Sequence, residues 1–164
     1  MSFAPVYDDR SRALILGTWP SPKSREMAFY YGHPQNRFWP LLAALTGEPL
    51  PAREDIAAKK QLLLRHGLAL WDTLESCTIT GASDASIRDV VPNDIAGLLR
   101  KAPIRAVFCN GATAYRIYTK YQQPLTGCPS AQYKPRQRRL QPRPAGGALG
   151  RCAGVLDRKM MTRL

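Results

Sequence analysis

The chain has 164 residues, of which 45% are hydrophobic, enough for one globular domain with a single core. It carries 24 Lys and Arg against 12 Asp and Glu, a net charge of +12, so nucleic acid or an anionic membrane surface is the first class of partner to consider. No run of about 18 apolar residues is present, which excludes a membrane-spanning helix. The N-terminus lacks the order of a signal peptide, so we expect an intracellular, cytoplasmic protein.

Metal and cofactor chemistry has little support in the composition. The four cysteines, Cys77, Cys109, Cys128 and Cys152, are widely spaced and accompanied by only two histidines. This is not the ligand spacing of a zinc ribbon or an iron–sulfur cluster. We therefore expect reduced thiols, no metal and no cofactor.

The positive charge is distributed unevenly along the chain. Residues 1–126 carry 15 basic and 11 acidic side chains, a net charge of +4. Residues 127–164 carry nine basic side chains and a single acidic one, Asp157, a net charge of +8. Most of the excess therefore lies outside the segment that carries the motifs described below.

Short apolar segments alternate with helical patterns. The apolar segments have the length and composition of buried parallel strands, and the segments between them space their apolar residues as amphipathic helices do. The predicted strands are 13–18, 68–72 and 104–109, the predicted helices are 37–45, 55–66, 92–101 and 112–121, and residues 19–36 and 74–91 have the composition of loops.

This alternation predicts parallel βαβ units in an α/β layered fold. Ligands of such folds bind at the carboxyl ends of the strands. The predicted strands end at residues 17–20, at Trp71 and Asp72, and at Asn110 and Gly111. A functional site is therefore expected where these three positions meet.

The loop after the first strand carries a specific motif. Residues 17–24 read GTWPSPKS and residues 29–39 read FYYGHPQNRFW. This segment resembles the first motif of the uracil-DNA glycosylase superfamily, in the form of its hypoxanthine-DNA (deoxyinosine) glycosylase branch. The mismatch-specific uracil/thymine branch typically has Asn-Pro-Gly after the strand, whereas residues 18–20 here read Thr-Trp-Pro. Residues 87–94 and 108–111 also resemble the deoxyinosine branch, and the resemblance covers about residues 10–125.

The resemblance implies a fold and an activity. The fold is a three-layer α/β/α domain with a central, mostly parallel four-stranded sheet. The activity is that of a monofunctional DNA N-glycosylase of base excision repair, which flips out a deaminated base and hydrolyses its N-glycosidic bond, deoxyinosine foremost and uracil second. The expected partner is double-stranded DNA containing a deaminated base, bound by a monomer that associates with the nucleoid.

Base excision sets requirements that the loop can meet. The enzyme must stack the flipped base, read its polar edge, and stabilise the base anion that leaves. The amide of Asn36 can position water or donate a hydrogen bond but is a poor proton acceptor. The resemblance implies a catalytic role for Asn36 and base stacking for Tyr31. The remaining expected contacts are to the base, from His33, Gly17 and Thr18, and to the DNA, from Lys23, Ser24, Arg25 and Asn110.

Each of these residues also has a purely structural explanation. Asn36 could cap a loop, Tyr31 could pack in the core, and His33 could make a structural hydrogen bond. Asp72, Ser76 and Arg37 are weaker site candidates, and Phe38 and Trp39 are expected in the core.

The C-terminal segment differs from the rest. We divide the chain into a glycosylase-like domain, residues 1–127, and a basic, Pro-rich tail, residues 128–164, with neither strand nor helix period and the composition of a disordered segment. Members of the superfamily continue with a fourth strand and a motif resembling LPSTSPANA. Back-translation of residues 132–143 with permitted codons, read from the second nucleotide, gives STSPANAAYSL. We therefore infer a frameshift upstream of about Ser130, which would disrupt the last strand and helix.

Two other interpretations stay open. The tail could be a genuine basic arm that adds nonspecific DNA affinity. The whole chain could be a catalytically impaired remnant or a noncatalytic nucleic-acid-binding protein.

Overall fold

The computed structural model describes residues 2–79, 87–122 and 129–133. Helices separate the successive strands of its parallel sheet, as the sequence predicts. Within these ranges no helix combines the length and the apolarity needed to cross a bilayer. The strands are β1 (Ala13–Gly17), β2 (Leu68–Asp72), β3 (Leu74–Ile79), β4 (Ile87–Pro92), β5 (Ala106–Cys109) and β6 (Ala131–Gln132), and the helices are α1 (Pro22–Glu26), α2 (Phe38–Thr46), α3 (Ile56–Arg65), α4 (Ile95–Lys101) and α5 (Ala112–Tyr121).

Four strands form a central parallel sheet in the order β2-β1-β5-β6. β1 lies between β2 and β5, so that Ile15 is in register with Leu70 on one side and Phe108 on the other. All five residues of β1 are buried, which is why this strand shows an unbroken apolar run. The expected four-stranded, mostly parallel sheet is confirmed.

The two faces of the sheet have separate cores. Successive side chains of a strand point to opposite faces. Ala13 and Ile15 contribute to one cluster, with residues of α2 and α3. Leu14 and Leu16 contribute to the other, with residues of α4 and α5. Helices therefore cover both faces, which confirms the three-layer α/β/α architecture.

Two of the predicted helices, α3 and α4, begin at an Asp side chain that caps the first turn. Asp55 accepts a hydrogen bond from the Ala58 N–H at the start of α3. Asp94 accepts one from the Gly97 N–H at the start of α4. Such side-chain caps contribute about 1 kcal/mol each. Gly67 follows α3 with a φ of +64°, a conformation that favours glycine and turns the chain into β2.

The N-terminal segment fastens the loop that carries the motif. The hydroxyl of Tyr30 donates to the carbonyl of Ala4 at 2.9 Å, and the indole N–H of Trp71 donates to the carbonyl of Phe3 at 3.0 Å. Val6 adds an antiparallel bridge to the middle of β2. The loop, the first residues and the outer strand of the sheet are thus joined.

Two segments expected as loops contain regular structure. β3 and β4 pair in an antiparallel two-stranded sheet, although residues 74–91 are rich in Ser, Thr and Asp. Their pairing contains two register shifts, so the sequence lacks the strict alternation that marks a strand. The expected loop at residues 19–36 contains α1, only five residues long and opened by Pro22.

The predicted tail begins with part of the sheet. β6 lies parallel to β5, with Ala131 beside Val107 and Gln132 beside Phe108. A strand of two residues is too short to produce a detectable period, so no pattern in the sequence predicts it. Residues 123–128 and 134–164, and with them most of the segment affected by the inferred frameshift, lie outside the described ranges.

The buried Tyr118 side chain ties β6 to α5. Its hydroxyl donates to the carbonyl of Pro129 at 2.8 Å. We expect Tyr118→Phe to lower the free energy of unfolding by about 1 kcal/mol, because the carbonyl loses its partner while packing is retained. Urea denaturation measures this, with Tyr121→Phe on the same helix as the control. Equal stabilities of the two variants would contradict the assignment.

Candidate active site

The carboxyl ends of β1 and β2 meet around a glycine. Gly17 and Asp72 are the last residues of these strands and are directly in register. A Cβ at Gly17 would overlap Oδ1 of Asp72 and would lie 3.2 Å from the hydroxyl of Tyr31. Asn110, which follows β5, has its side chain beside the same hydroxyl. The expected convergence of strand ends is therefore present.

Asp72 is a buried carboxyl group in this cluster. It is 4% exposed, and its Oδ2 has no hydrogen-bond partner among the described residues. Burial raises the pKa of Asp72 to about 7 because the charged form loses its hydration. From the sequence alone Asp72 is a weak candidate, since an Asp at a strand end is as often a turn cap. Its depth and its missing partner are visible only in the fold.

Tyr31 connects the cluster to the motif loop. Its ring stacks on Phe38 with centroids 4.0 Å apart and an interplanar angle of 22°. Burial and the nearby Asp72 raise the pKa of its hydroxyl, and the Asn110 side chain partly offsets this rise. The hydroxyl is buried and makes no well-aligned hydrogen bond within the described ranges. Tyr31 thus packs in the core as well as facing the strand ends.

Asn36 is held at the start of α2. Its Oδ1 accepts the backbone N–H of Phe38 at 2.8 Å, and its own backbone N–H donates to the carbonyl of His33 at 2.9 Å. Because the oxygen is engaged, the side-chain N–H2 is the group that remains to act on a ligand. The capping role weighed from the sequence is therefore real, and it orients the amide as a donor.

His33 is exposed on the same loop. Its Nδ1 accepts the backbone N–H of Gln35 at 3.2 Å. In the neutral ring the proton then resides on Nε2, which makes that nitrogen a donor. Asn36 and His33 thus present two hydrogen-bond donors within four residues of chain.

Ser24 has a different place from the one expected. It is 3% exposed, and its hydroxyl accepts the backbone N–H of Gly32 at 3.0 Å and pairs with the hydroxyl of Ser21 at 3.0 Å. The expected direct contact with DNA is corrected accordingly: a phosphate has no access to this hydroxyl, which braces α1 against the loop.

The hydrogen bonds of Ser24 stabilise an unusual backbone conformation in the loop. Ala28 and Tyr31 have φ values of +52° and +54°, in the left-handed region that non-glycine residues rarely occupy. Each costs roughly 1–2 kcal/mol. The bonds from Ser24 to Gly32, and from Phe29 N–H to the carbonyl of Ser24 at 3.1 Å, surround these positions.

The remaining predicted residues lie around this loop. The carbonyl of Thr18 accepts bonds from Leu74 N–H and from the hydroxyl of Thr73, which fixes the chain after β1. Lys23 is exposed and forms an ion pair with Glu26 at 2.7 Å. Arg25 and Arg37 are exposed and form no ion pair within the described part of the chain. Ser76 is exposed on β3. Phe38 and Trp39 are buried in the core, as expected.

Nothing in the described ranges assembles three or more His, Cys, Asp or Glu side chains in a metal-binding group. The polar groups that the motif loop and the strand ends supply are the Asn36 amide, the His33 imidazole, the Tyr31 phenol and the Asp72 carboxyl.

Substitution of Gly17 tests the close approach of β1 and β2. We expect Gly17→Ala to destabilise the protein by about 1–3 kcal/mol because the new methyl group overlaps the Asp72 carboxyl. In an Asp72→Ala background the same substitution should cost clearly less, since the obstructing oxygen is gone. Thermal denaturation of the four proteins measures the coupling. Additive effects would show that the two residues do not touch.

The raised pKa of Asp72 predicts a pH-dependent stability. The folded protein retains a proton that the unfolded chain loses near its ordinary pKa of 3.8, so stability decreases as the pH rises towards about 7. Between pH 5 and pH 8 this group should lower the free energy of unfolding by about 3 kcal/mol. Urea denaturation at both pH values should show this loss in the wild type and not in Asp72→Asn. Parallel pH dependences would contradict a buried, neutral carboxyl.

Comparisons with known proteins agree with the geometry. A family model described as the uracil DNA glycosylase superfamily matches residues 4–154. A protein of Methanosarcina acetivorans named hypoxanthine DNA glycosylase is 37% identical over 115 residues, which cover 68% of this chain and 71% of that protein. One of the same name from Methanosarcina barkeri is 36% identical over 110 residues, covering 66% and 69%.

The fold is shared as well. A solution NMR structure of a candidate uracil DNA glycosylase from Methanosarcina acetivorans has a TM-score of 0.63 and 34% sequence identity, and covers 75% of this chain and 76% of its own. The family match spans most of the sequence, and the central parallel sheet flanked by helices agrees with it. The chain belongs to the uracil-DNA glycosylase superfamily.

Proposed function

We propose that this protein is a monofunctional DNA N-glycosylase that removes deaminated bases from double-stranded DNA, hypoxanthine foremost and uracil second. The observation that carries the proposal is the motif loop after β1, in which Asn36 is oriented as a donor by its bond to Phe38, whose ring stacks on Tyr31. The relatives named hypoxanthine DNA glycosylase support hypoxanthine as the first substrate.

The reaction requires stabilisation of a leaving base. Water attacks the anomeric carbon, and the N-glycosidic bond breaks with its electron pair leaving on the base. The base takes up the proton that the water loses, so the products are the free base and an abasic site. We assign to Asn36 the donation of a hydrogen bond to the attacking water or to the base anion. Removing a donor of this kind typically costs two to three orders of magnitude in rate.

The base site is assigned to residues around the strand ends. Tyr31 provides an aromatic ring for stacking, and the Nε2–H of His33 provides a donor for a base carbonyl. We assign Gly17 and Thr18 to the base through their backbone atoms, and the Leu74 N–H and the Thr73 hydroxyl hold the Thr18 carbonyl in place.

We assign the contacts with the DNA phosphates to exposed polar side chains on α1 and after β5. Lys23 and Arg25 lie exposed on α1, and Asn110 is exposed after β5. Salt weakens such binding: for each phosphate contact, the logarithm of the binding constant decreases by about 0.9 when the salt concentration rises tenfold. Ser24 contributes indirectly, by bracing α1.

The domain organisation is part of the proposal. Residues 1–127 form the glycosylase domain, to which β6 adds an edge strand, and residues 128–164 form the basic tail that begins with this strand. The protein acts as a monomer on DNA.

Alkali-induced strand scission tests the activity. Labelled duplexes containing inosine, uracil or xanthine are incubated with the protein and then treated with alkali. We expect scission at inosine first, and a decrease of at least about 100-fold in single-turnover rate for Asn36→Ala. Gln35→Ala, an exposed neighbour on the same loop, is the matched control and should retain the wild-type rate.

Two further measurements make the result decisive. Asn36→Ala also loses its bond to Phe38, at a cost of about 1 kcal/mol, so melting temperatures must show that the variant is folded. Binding of the wild type without scission would contradict the enzyme assignment and favour the noncatalytic DNA-binding protein. A version with STSPANAAYSL from position 132 onward, assayed in parallel, separates an impaired tail from an absent activity.

A further inference from the structure

Lys59 on α3 is a buried cation that lies outside the strand-end cluster. The residue is 3% exposed and forms no ion pair with the described part of the chain. Lysine is almost never fully buried unless it is paired, because burial removes the hydration of its charge. Burial accordingly lowers the pKa of the Lys59 ammonium, and the charges of Glu54 and Asp55 only partly offset this effect. The groups that the ammonium contacts therefore indicate its role.

The ammonium of Lys59 has two partners. It donates a hydrogen bond to the carbonyl of Arg53, in the turn that precedes α3. It also lies 5.4 Å from the centroid of the Trp39 ring, in the first turn of α2, a distance at which a cation is attracted to an indole face. One side chain thus links the start of α2 to the turn before α3.

Each of these partners bonds the motif loop next to Tyr31. The indole N–H of Trp39 donates to the carbonyl of Tyr30 at 3.0 Å. The guanidinium of Arg53 donates to the carbonyl of Gly32 at 3.4 Å. Tyr31 lies between these two carbonyl groups and has the unfavourable φ of +54°. The backbone on both sides of a strained residue is therefore held by the partners of one ammonium group.

We propose that Lys59 is a positioning residue for base excision, which holds the motif loop from outside the site by fixing the carbonyl groups on both sides of Tyr31. The inference rests on the proposed glycosylase function and deepens it. Lys59 acts through Trp39 and Arg53, and so fixes the ring to which the proposed function assigns base stacking. A displacement of about 1 Å in such a contact can lower a rate by about 100-fold, so a residue outside the site can affect the reaction.

Two simpler roles for this lysine lead to different results. A lysine that contacts a DNA phosphate must reach the solvent, whereas Lys59 is buried. A lysine that only stabilises the packing of α2 and α3 would, when replaced, loosen the whole domain. A positioning residue loosens one loop, and removal of its buried charge leaves the global stability unchanged or higher.

Hydrogen exchange of single amides, followed by NMR, tests the loop directly. Lys59→Met keeps an unbranched apolar side chain and removes the charge. The reporting amides are those of Phe29 and Gly32, which donate to the carbonyl and the hydroxyl of Ser24. We expect both to exchange at least about tenfold faster in Lys59→Met, whereas the amides of β1, which open only with the whole domain, exchange no faster. Equal acceleration throughout, or no change at Phe29 and Gly32, would overturn the proposal.

Two further variants control this result. Arg65→Met removes an exposed cation from the end of the same helix and should leave the exchange of Gly32 unchanged. Arg53→Met alters an exposed residue, so the core stays intact, and it should accelerate the exchange of Gly32. In the Lys59→Met background it should add little, because both changes release the same carbonyl. If Lys59→Met does not fold, Arg53→Met decides alone, and wild-type exchange of its Gly32 amide contradicts the proposal.

Single-turnover scission of an inosine-containing duplex connects the loop to the reaction. With saturating protein, we expect the rate of Lys59→Met to decrease about tenfold or more, and that of Arg65→Met to stay at the wild-type value. The dissociation constant of Lys59→Met for an undamaged duplex, and its salt dependence, should match the wild type within about twofold, because no phosphate contact is lost. A wild-type rate despite a loosened loop, or a weaker salt dependence, would refute the positioning role.

Failure of this inference can be distinguished from failure of the proposed function. If the wild type binds the duplex but releases no base, the glycosylase assignment is wrong and with it the role in base excision, while hydrogen exchange still decides whether Lys59 holds the loop. If the wild type releases hypoxanthine and Lys59→Met matches it in rate and in exchange, only the role of Lys59 is refuted.

Discussion

The close approach of β1 and β2 at Gly17 is the constraint on which the site depends. A parallel pair brings both carboxyl ends to one edge, and the missing side chain at Gly17 leaves space that Asp72 and Tyr31 enter. The sheet thereby determines where the motif loop must pass, because Tyr31 is anchored at the strand ends while Phe38 and Trp39 are anchored in the core. A loop without these two anchors would not hold Asn36 in a fixed orientation.

The structure combines stabilising and destabilising contributions in one region. The core on both faces of the sheet, the caps of α3 and α4 and the contacts of the first residues stabilise the domain. Against them stand a buried carboxyl group and two left-handed non-glycine residues. These three residues lie on the motif loop and at the strand ends, as expected for a site that is preorganised by the rest of the fold, whereas the left-handed Asp89 lies on β4.

Regular elements with strong periodic patterns could be predicted from the sequence. The buried strand β1 and helices with a side-chain cap such as Asp94 have local signals, and the strand ends followed from the parallel arrangement. β6 could not be predicted because two residues carry no period. β3 and β4 could not be predicted because their register shifts and polar composition leave no regular alternation of apolar residues.

The site was predicted in its location but not in its internal roles. The motif identifies the loop and Asn36, yet burial of Ser24 depends on how α1 folds back onto Gly32, which no local pattern encodes. Asp72 likewise depends on the register between two strands that are far apart in the chain. Roles that arise from long-range packing need the fold, whereas the chemistry of a residue type does not.

Because Ala28 and Tyr31 have a left-handed backbone, the motif depends on the rest of the domain for its shape. Residues 17–39 do not hold this shape through their own preferences, since both positions oppose the intrinsic tendency of their residue types. The shape is imposed by the buried Ser24, the stack on Phe38 and the N-terminal residues that hold Tyr30. The same residues excised as a peptide, or grafted onto another strand-helix junction, would relax and lose the arrangement, so the smallest unit that carries this chemistry is the domain itself.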